Sequence, residues 1–286
     1  MLNNKYVIYL RYEKTASKTL IREIFLKRYI FASIDIKNNS YSKADILKEK
    51  LNQFEKKYRD KIIIVHLQLQ INLIKEYKFN NQKDYFNNLL NTINNNQEFN
   101  FKLILGFRDQ INIFESYFTQ IIKNGYYVNK YDLLKSHFFV WRYSYIVKEL
   151  IKIIKQDKIF FFIFNEFQDN KKLVLNKLCS FIEEKNITID TIGSPIFNPR
   201  RDESLVFLYN IFNKLRLRGK NKLFKIPRID VFIAYLSKFI NILHINKANK
   251  INYPNKDLFI EIYSNDNIEL EKLIDVNLKQ YNFPIK

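Results

Sequence analysis

The sequence predicts an α/β fold in which a doubly wound, mostly parallel sheet is flanked by helices. Two observations lead to this prediction. Four short runs rich in β-branched and aromatic residues are apolar almost throughout, which is typical of strands covered on both faces. Longer segments with apolar residues at helical spacing lie between and after these runs, and alternating strands and helices indicate βαβ units.

The predicted strands resemble one another in length and composition, and they are Tyr6–Leu10, Lys61–Leu67, Phe101–Phe107 and Lys158–Phe164. The predicted helices all repeat apolar residues every three or four positions. They are Thr19–Tyr29, Ala44–Tyr58, Asp84–Ile93, Ile111–Lys123, Tyr131–Ile154, Lys171–Glu184, Leu205–Leu217, Ile229–Leu243 and Ile268–Tyr281. The segment Tyr131–Ile154 fits either one long helix or two helices that a single break separates.

The last third of the chain differs from the rest because no strand is predicted there. A loop at 191–201 holds Gly193, Pro195 and Pro199, and only helical patterns follow it. Residues from about 200 to 286 are therefore expected to form a helical portion packed on the sheet. With 286 residues, 47% of them hydrophobic, the chain can bury a sizeable core, and we predict one domain over residues 1–286.

The chain is strongly basic, with 48 Lys and Arg residues against 29 Asp and Glu residues and a formal net charge of +19. Such a charge favours anionic partners: a nucleotide, an acidic glycan, a nucleic acid or a membrane surface. Alternatively, Lys, Asn and Ile are abundant because the genome is AT-rich, and many lysines are only solvated surface. Charge alone therefore does not indicate nucleic-acid binding.

Cysteine content and the length of apolar runs predict the compartment. Cys179 lies in an apolar helical context and is expected to be a small buried hydrophobe. A single cysteine excludes an internal disulfide and a zinc cluster, which fits a reducing compartment. The apolar run Tyr6–Leu10 is too short for a signal-peptide core, and no run reaches the roughly 18 apolar residues of a membrane span. We expect a soluble, cytoplasmic protein.

The first candidate site is the polar loop between the first strand and the first helix. This arrangement aims backbone N–H groups and a helix N-terminus at a phosphate. The loop offers small, basic and hydroxyl-bearing residues, and they are Lys14, Thr15, Ala16, Ser17, Lys18 and Thr19. The Walker A pattern G-x-x-x-x-G-K-[ST] fits only at its end, because Tyr12 and Ser17 occupy both glycine positions.

The second candidate site follows the third predicted strand. Arg108 stands at the carboxyl end of that strand, and Ser116 lies two turns into the next helix. An arginine presents a planar fork to phosphate oxygens, and the carboxyl edge of a parallel sheet is where such folds bind ligands. Arg108 and Ser116 are therefore expected to converge on one anion.

Both sites resemble the donor-binding motifs of sulfotransferases that use PAPS (3'-phosphoadenosine 5'-phosphosulfate). Lys14–Leu20 resembles the family's 5'-phosphosulfate loop, most closely the Lys-Thr-Ala-Ser/Gly-Thr-Ser/Thr form of glycan enzymes, with Lys18 as a departure. Arg108–Phe118 resembles the 3'-phosphate motif Arg-[Asp/Asn]-Pro-x5-Ser, with the same eight-residue separation and with Gln110 in place of the common proline. The two motifs occur in the right order, and the resemblance covers about residues 5–184.

The resemblance implies a P-loop-like fold and assigns roles to these residues. Lys14 would contact the oxygen that bridges phosphorus and sulfur, and the rest of the loop, from Thr15 to Thr19, would hold the 5'-phosphosulfate. Arg108 and Ser116 would hold the 3'-phosphate. The implied donor is PAPS, and no metal is needed. The resemblance points to a carbohydrate-sulfotransferase-like bacterial enzyme.

A base that takes the proton of the acceptor hydroxyl is also expected. His66 lies at the end of the second predicted strand, on the same sheet edge as Lys14 and Arg108, and several branches of the family carry a base histidine after the corresponding strand. A histidine that is merely hydrogen-bonded at a strand end is the alternative. A carboxylate such as Glu13 or Glu49 is a further candidate.

The sequence thus favours a PAPS-dependent sulfotransferase whose acceptor is a hydroxyl of a carbohydrate or surface-glycan precursor. A P-loop nucleotide kinase is the first alternative, supported by Lys18-Thr19 and by Asp109 as a Walker B acid. A non-enzymatic basic protein that binds nucleic acid or a membrane surface is the second, and the amphipathic segment Ile229–Leu243 allows peripheral membrane contact. Two basic stretches, 198–201 and 216–220, are read as solvated charge, with a donor contact as the alternative.

Overall fold

The structure is a computed structural model, and it describes residues 5–12, 15, 19–33, 43–58, 60–68, 82–185, 203–216, 218, 229–242 and 256–286. Five strands form one sheet, and they are β1 (Lys5–Arg11), β2 (Ile30–Ser33), β3 (Ile62–Gln68), β4 (Lys102–Phe107) and β5 (Ile159–Ile163). Their order is β2-β3-β1-β4-β5, and every neighbouring pair is parallel. This confirms the predicted fold class, a doubly wound, P-loop-like α/β sheet flanked by helices.

All four predicted strands are present with small shifts in their ends, but β2 was not predicted. The apolar spacing of Thr19–Tyr29 predicts a helix, and Ile30 fits the same spacing. In the structure the chain turns at Tyr29, and Ile30–Ser33 pairs in parallel with β3 at the edge of the sheet. A four-residue edge strand is too short to show its own periodicity.

The helices that flank the sheet follow the predicted segments in most places. α1 is π-helical over Leu20–Phe25 and ends with one α-helical turn, Leu26–Arg28. The others are α2 (Lys43–Lys57), α3 (Gln82–Asn94), α4 (Gln110–Lys123), α5 (Lys130–His137), α6 (Tyr143–Ile151), α7 (Phe164–Asp169), α8 (Lys171–Glu183), α9 (Glu203–Lys214), α10 (Ile229–Ile242) and α11 (Lys256–Ile274). No helix in these ranges combines the length and the apolar character that a membrane crossing requires.

Two predicted helices differ from the structure. The segment Tyr131–Ile154 is broken between α5 and α6, so the two-helix interpretation is correct. The predicted bounds of the last helix, Ile268–Tyr281, are wrong. α11 begins twelve residues earlier and ends before Asp275, which has a left-handed φ of 53°. A separate 3-10 turn follows at Lys279–Tyr281.

Side chains that alternate along the strands feed two cores, one on each face of the sheet. On one face, Ile8 and Leu10 of β1 belong to the larger core, which also includes residues of α2 to α6 and of α9 to α11. On the other face, Val7 and Tyr9 belong to a smaller core with residues of α1, α7 and α8. Burial on both faces explains why the strands are apolar almost throughout.

The C-terminal helices pack chiefly on helices that cover the sheet. α9 contacts α4, α10 contacts α9, and α11 contacts both α6 and α4. The expected packing of the C-terminal portion on the sheet therefore takes place largely through α4 and α6. As a result, the last helix of the chain adjoins the helix that begins at the second candidate site.

Candidate functional site

The two strands that precede the candidate sites, β1 and β4, are neighbours in the sheet. The chain passes from β1 to β2 and back to β3 on one side of β1, and then crosses to β4 on the other side. Connections thus change direction between β1 and β4, and in open α/β sheets such a switch point at the carboxyl ends of the strands is where ligands bind. Leu10 pairs with Leu105, so both strands end at nearly the same level, about 5 Å apart.

The structure describes five of the predicted site residues: Thr15, Thr19, His66, Arg108 and Ser116. The other four lie outside the described residues, and they are Lys14, Ala16, Ser17 and Lys18. Of the loop after β1, the structure therefore describes only Tyr12 at its start, Thr15, and Thr19 at its end.

Both described threonines of the loop are buried. The Thr15 hydroxyl donates to the carbonyl oxygen of Tyr12 at 2.9 Å, which closes a turn directly after β1. The hydroxyl proton of Thr15 is thus used within the loop, and its oxygen lone pairs remain to accept. Thr19 precedes the first turn of α1, and no hydrogen bond joins its side chain to that helix N-terminus.

Arg108 directly follows β4, and its guanidinium lies over the ring of Phe164, 4.6 Å from the ring centroid. Its backbone carbonyl accepts a hydrogen bond from the phenol of Tyr143 at 2.9 Å. Stacking on an aromatic ring holds the plane of an arginine while its N–H groups can still bind an anion. The side chain is half-buried, which favours an oriented fork at the carboxyl edge of the sheet.

Gly106 of β4 lets a neighbouring ring approach the sheet beside Arg108. A Cβ atom added at Gly106 would lie 2.1 Å from the Cζ atom of Phe162 and under 3 Å from two more atoms of that ring. Phe162 belongs to β5, which pairs with β4. The glycine is therefore needed here for close packing, and a larger residue would displace the ring next to the candidate site.

Asp109 starts α4 by capping it. One oxygen of its carboxylate accepts from the backbone N–H of Asn112 at 2.8 Å, and the other accepts from the Asn112 side chain at 2.9 Å. The residue is 1% exposed. Burial raises the pKa of Asp109, although the hydrogen bonds from Asn112 and the charge of Arg108 oppose this change. Both oxygens are engaged in the cap, an arrangement unlike that of an acid free to hold a metal.

Gln110 replaces the proline that is common at this point of the motif, and the structure shows what it does instead. Its side chain is fully buried, and its Nε2 atom donates to Asn267 of α11 at 2.8 Å and to the carbonyl of Trp141 at 3.2 Å. Asn267 donates back to the Gln110 carbonyl oxygen at 3.2 Å. A reciprocal side-chain pair therefore fixes the first residue of α4 to the last helix.

Ser116 lies in the middle of α4, on its half-buried side. At 100° per residue it shares a helical stripe with Asn112 and Asp109, so it stands above the start of the helix where Arg108 enters. Both residues lie on the carboxyl side of β4, and their convergence on one anion stays a prediction.

His66 was predicted at the end of its strand. In the structure β3 continues to Gln68, so His66 lies two residues before the strand ends. It pairs with Tyr9 of β1, is 8% exposed, and lies between the rings of Tyr9 and Phe31. Ser33 of β2 is 3.0 Å from its Nδ1 atom, and Nε2 is buried with no hydrogen-bond partner among the described residues. Burial, followed by the charge of Arg11, lowers the pKa of His66 to about 4, so the ring is neutral at pH 7.

Arg11 is a candidate that the sequence analysis missed. It is the last residue of β1, two positions beyond Tyr9, and therefore belongs to the same sheet face as His66. Its Nε atom is buried, and the described part of the chain offers that atom no hydrogen-bond partner. Its position in the sequence could have identified it, since a basic residue at the carboxyl end of a buried parallel strand lies at the ligand-binding edge of the sheet.

The remaining candidates are placed away from this arrangement or outside the described residues. Glu49, on α2, is exposed and accepts a hydrogen bond from Gln53 at 3.0 Å, while Glu13 is among the residues not described. Of the basic stretch 216–220, Arg218 is engaged structurally. It pairs with Asp230 at 2.5 Å, stacks on Tyr209 at 3.9 Å and donates to backbone carbonyls at the end of α4.

No protein-family model matches the sequence, and no curated protein is detectably similar to it. Among solved structures, the chain is similar in fold to a sulfotransferase from Alicyclobacillus acidocaldarius. The likeness covers 76% of this chain and 95% of that chain, with a TM-score of 0.46 and 8% sequence identity.

Proposed function

We propose that the chain is a PAPS-dependent sulfotransferase that transfers a sulfuryl group to an acceptor hydroxyl of a carbohydrate or surface-glycan precursor. One observation carries the proposal: β1 and β4 are neighbours, paired at Leu10 and Leu105, so the loops that resemble the two donor motifs leave the sheet at one switch-point crevice. This adjacency of β1 and β4 supports the proposal that a single nucleotide with phosphate groups at both ends binds across both sites.

The proposed roles follow the chemistry of the donor. Lys14 and the loop to Thr19 hold the 5'-phosphosulfate, and Arg108 and Ser116 hold the 3'-phosphate. The stacking of Arg108 on Phe164 supports the proposed role of Arg108, because the ring orients the guanidinium group at the edge of the crevice. No metal is required, since lysine, arginine and backbone N–H groups supply the positive charge and the donors.

The transfer is an in-line displacement at sulfur. A bond forms between the acceptor oxygen and sulfur, the bond from sulfur to the bridging phosphate oxygen breaks, and 3',5'-bisphosphoadenosine (PAP) leaves with that oxygen. The acceptor proton passes to a base, for which His66 is the candidate: with the ring proton on Nδ1, where it donates to the Ser33 hydroxyl oxygen, the lone pair of Nε2 takes the acceptor proton. A base with a pKa of about 4 suffices if it acts late, when the oxygen already bound to sulfur has become strongly acidic.

The kinase alternative is not favoured by the geometry. A phosphotransferase of this fold would use an acid after a strand to hold its magnesium ion, and Asp109 was the candidate. Its carboxylate is buried and both of its oxygens accept hydrogen bonds from Asn112. The missing glycines of the loop after β1 point the same way.

Thermal unfolding tests the proposal without knowledge of the acceptor. PAP at about 100 times its Kd should stabilise the protein by about 2.7 kcal/mol, which corresponds to a rise of roughly 5 °C in Tm. ATP with Mg²⁺ at the same concentration should raise Tm much less. Equal or greater protection by ATP with Mg²⁺ would favour the kinase, and protection by neither nucleotide would refute both. Screening hydroxyl acceptors with labelled PAPS then identifies the product.

A further inference from the structure

Six of the ten exposed large hydrophobic side chains in the described ranges lie on three adjacent parts of the molecule: α9, α10 and the turn that follows α4. Their exposed fractions run from 36% to 68%, and they are Tyr127, Ile211, Leu215, Val231, Phe232 and Tyr235. We name these six residues the α9–α10 patch. Its parts are in contact, since α9 packs on α10 and the rings of Phe212 and Phe232 meet at 6.4 Å.

The patch makes α10 apolar on the side that should be polar. Ile233 and Ser237 of α10 are buried against the protein, as expected of an amphipathic helix. Val231 and Tyr235 stand on the outward stripe at spacing i and i+4, and they are 50% and 68% exposed. A surface helix with water as its only neighbour normally carries charged or polar residues there. The outward side of α10 is therefore suited to an apolar environment.

Basic residues surround the patch. Lys214, Arg216 and Lys238 are exposed, and the ammonium groups of Lys214 and Lys238 lie near the rings of Tyr127 and Tyr235, at 5.8 and 6.0 Å from the ring centroids. The neighbouring acid, Asp230, pairs with Arg218 at 2.5 Å, so its charge is compensated. The patch thus combines exposed apolar and aromatic side chains with three basic residues that form no ion pair within the described ranges.

We propose that the α9–α10 patch docks the protein on the surface of an anionic lipid bilayer. Aliphatic and aromatic side chains enter the boundary between headgroups and acyl chains, tyrosine rings suit that boundary, and lysines reach outward to acidic headgroups. The whole chain adds long-range attraction, because its formal net charge is +19. The helices lie on the surface and do not cross it.

The same features disfavour other occupants. A second copy of the chain would set Lys214, Arg216 and Lys238 against their own equivalents, and two molecules of charge +19 repel each other. A nucleic acid would match the basic residues but would leave the exposed apolar side chains without a favourable contact. A bilayer with anionic lipids satisfies both parts of the patch. The inference is independent of the proposed function, since it uses no residue of the crevice.

Vesicle co-sedimentation tests the inference with the full chain. Vesicles of phosphatidylcholine alone are compared with vesicles that contain 70% phosphatidylcholine and 30% phosphatidylglycerol. We expect the partition coefficient to be at least tenfold higher for the anionic vesicles at low salt and to fall strongly as salt rises, because the attraction to acidic headgroups is screened. Equal binding to both vesicle types, or binding to neither, overturns the proposal.

Matched double variants separate the patch from general hydrophobicity. Val231→Ser with Tyr235→Ser removes two patch residues, and Leu173→Ser with Tyr131→Ser removes one aliphatic and one tyrosine side chain that are exposed to a similar degree elsewhere. We expect the first pair to lower anionic-vesicle binding at least tenfold and the second pair to change it less than twofold. Tm and far-UV circular dichroism of each variant establish that the fold is retained.

A further pair tests the electrostatic part. Lys214→Gln with Lys238→Gln should weaken binding to anionic vesicles severalfold while leaving the weak binding to neutral vesicles unchanged. Patch variants that bind vesicles normally, or controls that lose binding equally, overturn the proposal. So does a patch variant that turns a dimer into a monomer in light scattering without changing vesicle binding, because the patch would then be an interface between copies of the chain.

Discussion

The phenol of Tyr143 donates a hydrogen bond to the carbonyl oxygen of Arg108 at 2.9 Å, and its ring meets that of Tyr12 edge-on at 5.3 Å. Tyr12 directly follows β1 and Arg108 directly follows β4. Tyr143, the first residue of α6, therefore contacts the residues at which both candidate loops begin. These contacts add to the pairing of β1 with β4 in holding the starts of the two loops together.

Tyr143→Phe should therefore loosen the crevice. The variant leaves the Arg108 carbonyl without this donor inside the protein, a loss of about 2 kcal/mol, or roughly 4–8 °C in Tm. We also expect PAP binding to weaken, as measured by calorimetry. The matched control is Tyr145→Phe, because Tyr145 makes ring contacts with Phe86 and Phe139 and its hydroxyl has no hydrogen-bond partner in the described ranges. If both variants behave alike, the Tyr143 hydrogen bond is not structurally important.

Arg108→Ala should weaken donor binding by about 10- to 100-fold, the effect of losing charge-assisted hydrogen bonds to a phosphate. The position of that phosphate can be tested with adenosine 5'-phosphosulfate, which lacks the 3'-phosphate. Arg108→Ala should hardly change its affinity. An equal loss for both nucleotides would show that Arg108 does not bind the 3'-phosphate. The donor affinity of Arg108→Lys should lie between those of the unchanged protein and Arg108→Ala. Lysine keeps the positive charge but lacks the planar guanidinium group that stacks on Phe164.

Lys14→Ala should abolish turnover, with a loss of at least about 100- to 1000-fold, because the proposed mechanism uses its charge on the oxygen that leaves sulfur. The fold should be unchanged, as judged by Tm. Lys50→Ala, an exposed lysine on α2, is the control for removal of one positive charge. Transfer of labelled sulfate by the Lys14 variant at a nearly normal rate would exclude Lys14 from the chemical step.

His66 should make stability depend on pH in the acid range. Its pKa is about 4 in the folded protein, compared with 6.5 for an ordinary histidine, so the unfolded chain binds more protons between these values. Stability is therefore unaffected above about pH 6.5 and falls as pH drops from about 6.5 to 4. At most about 3.5 kcal/mol is lost, because the two pKa values differ by about 2.5 and each pKa unit corresponds to about 1.4 kcal/mol.

His66→Gln should flatten this part of the stability curve, measured by urea unfolding at a series of pH values. The other two histidines remain in both proteins, so the difference between the curves reports His66. Parallel curves for the two proteins between pH 6.5 and 4 would contradict the buried, neutral state of the ring.

Gly106→Ala should destabilise the protein by about 1–3 kcal/mol, since the new Cβ would meet the Phe162 ring at 2.1 Å. Leucine in place of Phe162 removes the atoms that clash. The double variant Gly106→Ala/Phe162→Leu should therefore be more stable than the sum of the two single changes predicts, by roughly 1 kcal/mol or more. Additive effects in chemical unfolding would show that the close approach of the ring is not what requires the glycine.

Local patterns of sequence were enough to predict four of the five strands, including β1 and β4, which the two candidate loops follow. The strands are buried on two faces, so each leaves a run of apolar residues, and Arg108 follows such a run directly. The adjacency of β1 and β4 is not local, but it follows from the switch-point topology that this fold class requires.

Features that depend on distant contacts could not be predicted in this way. The break between α5 and α6 contains no glycine or proline, and it coincides with Trp141, whose ring is fully buried and whose carbonyl binds Gln110. The strand β2 is defined by its pairing with β3, not by its four residues. That Arg11 lies on the same sheet face as His66 could be recognised only from the pairing of β1 with β3.

The pairing of Gln110 with Asn267 has a consequence for biosynthesis. The two residues are 157 positions apart, and each is fully buried and bound to the other. On the ribosome, β1 and β4 emerge long before α11 is made, so the start of α4 lacks its partner during most of translation. We expect nascent chains that stop before residue 256 to keep the contact of Gln110 with Trp141 and to lack both hydrogen bonds with Asn267. The proposed binding of the PAPS donor should then be acquired only in the closing stage of synthesis.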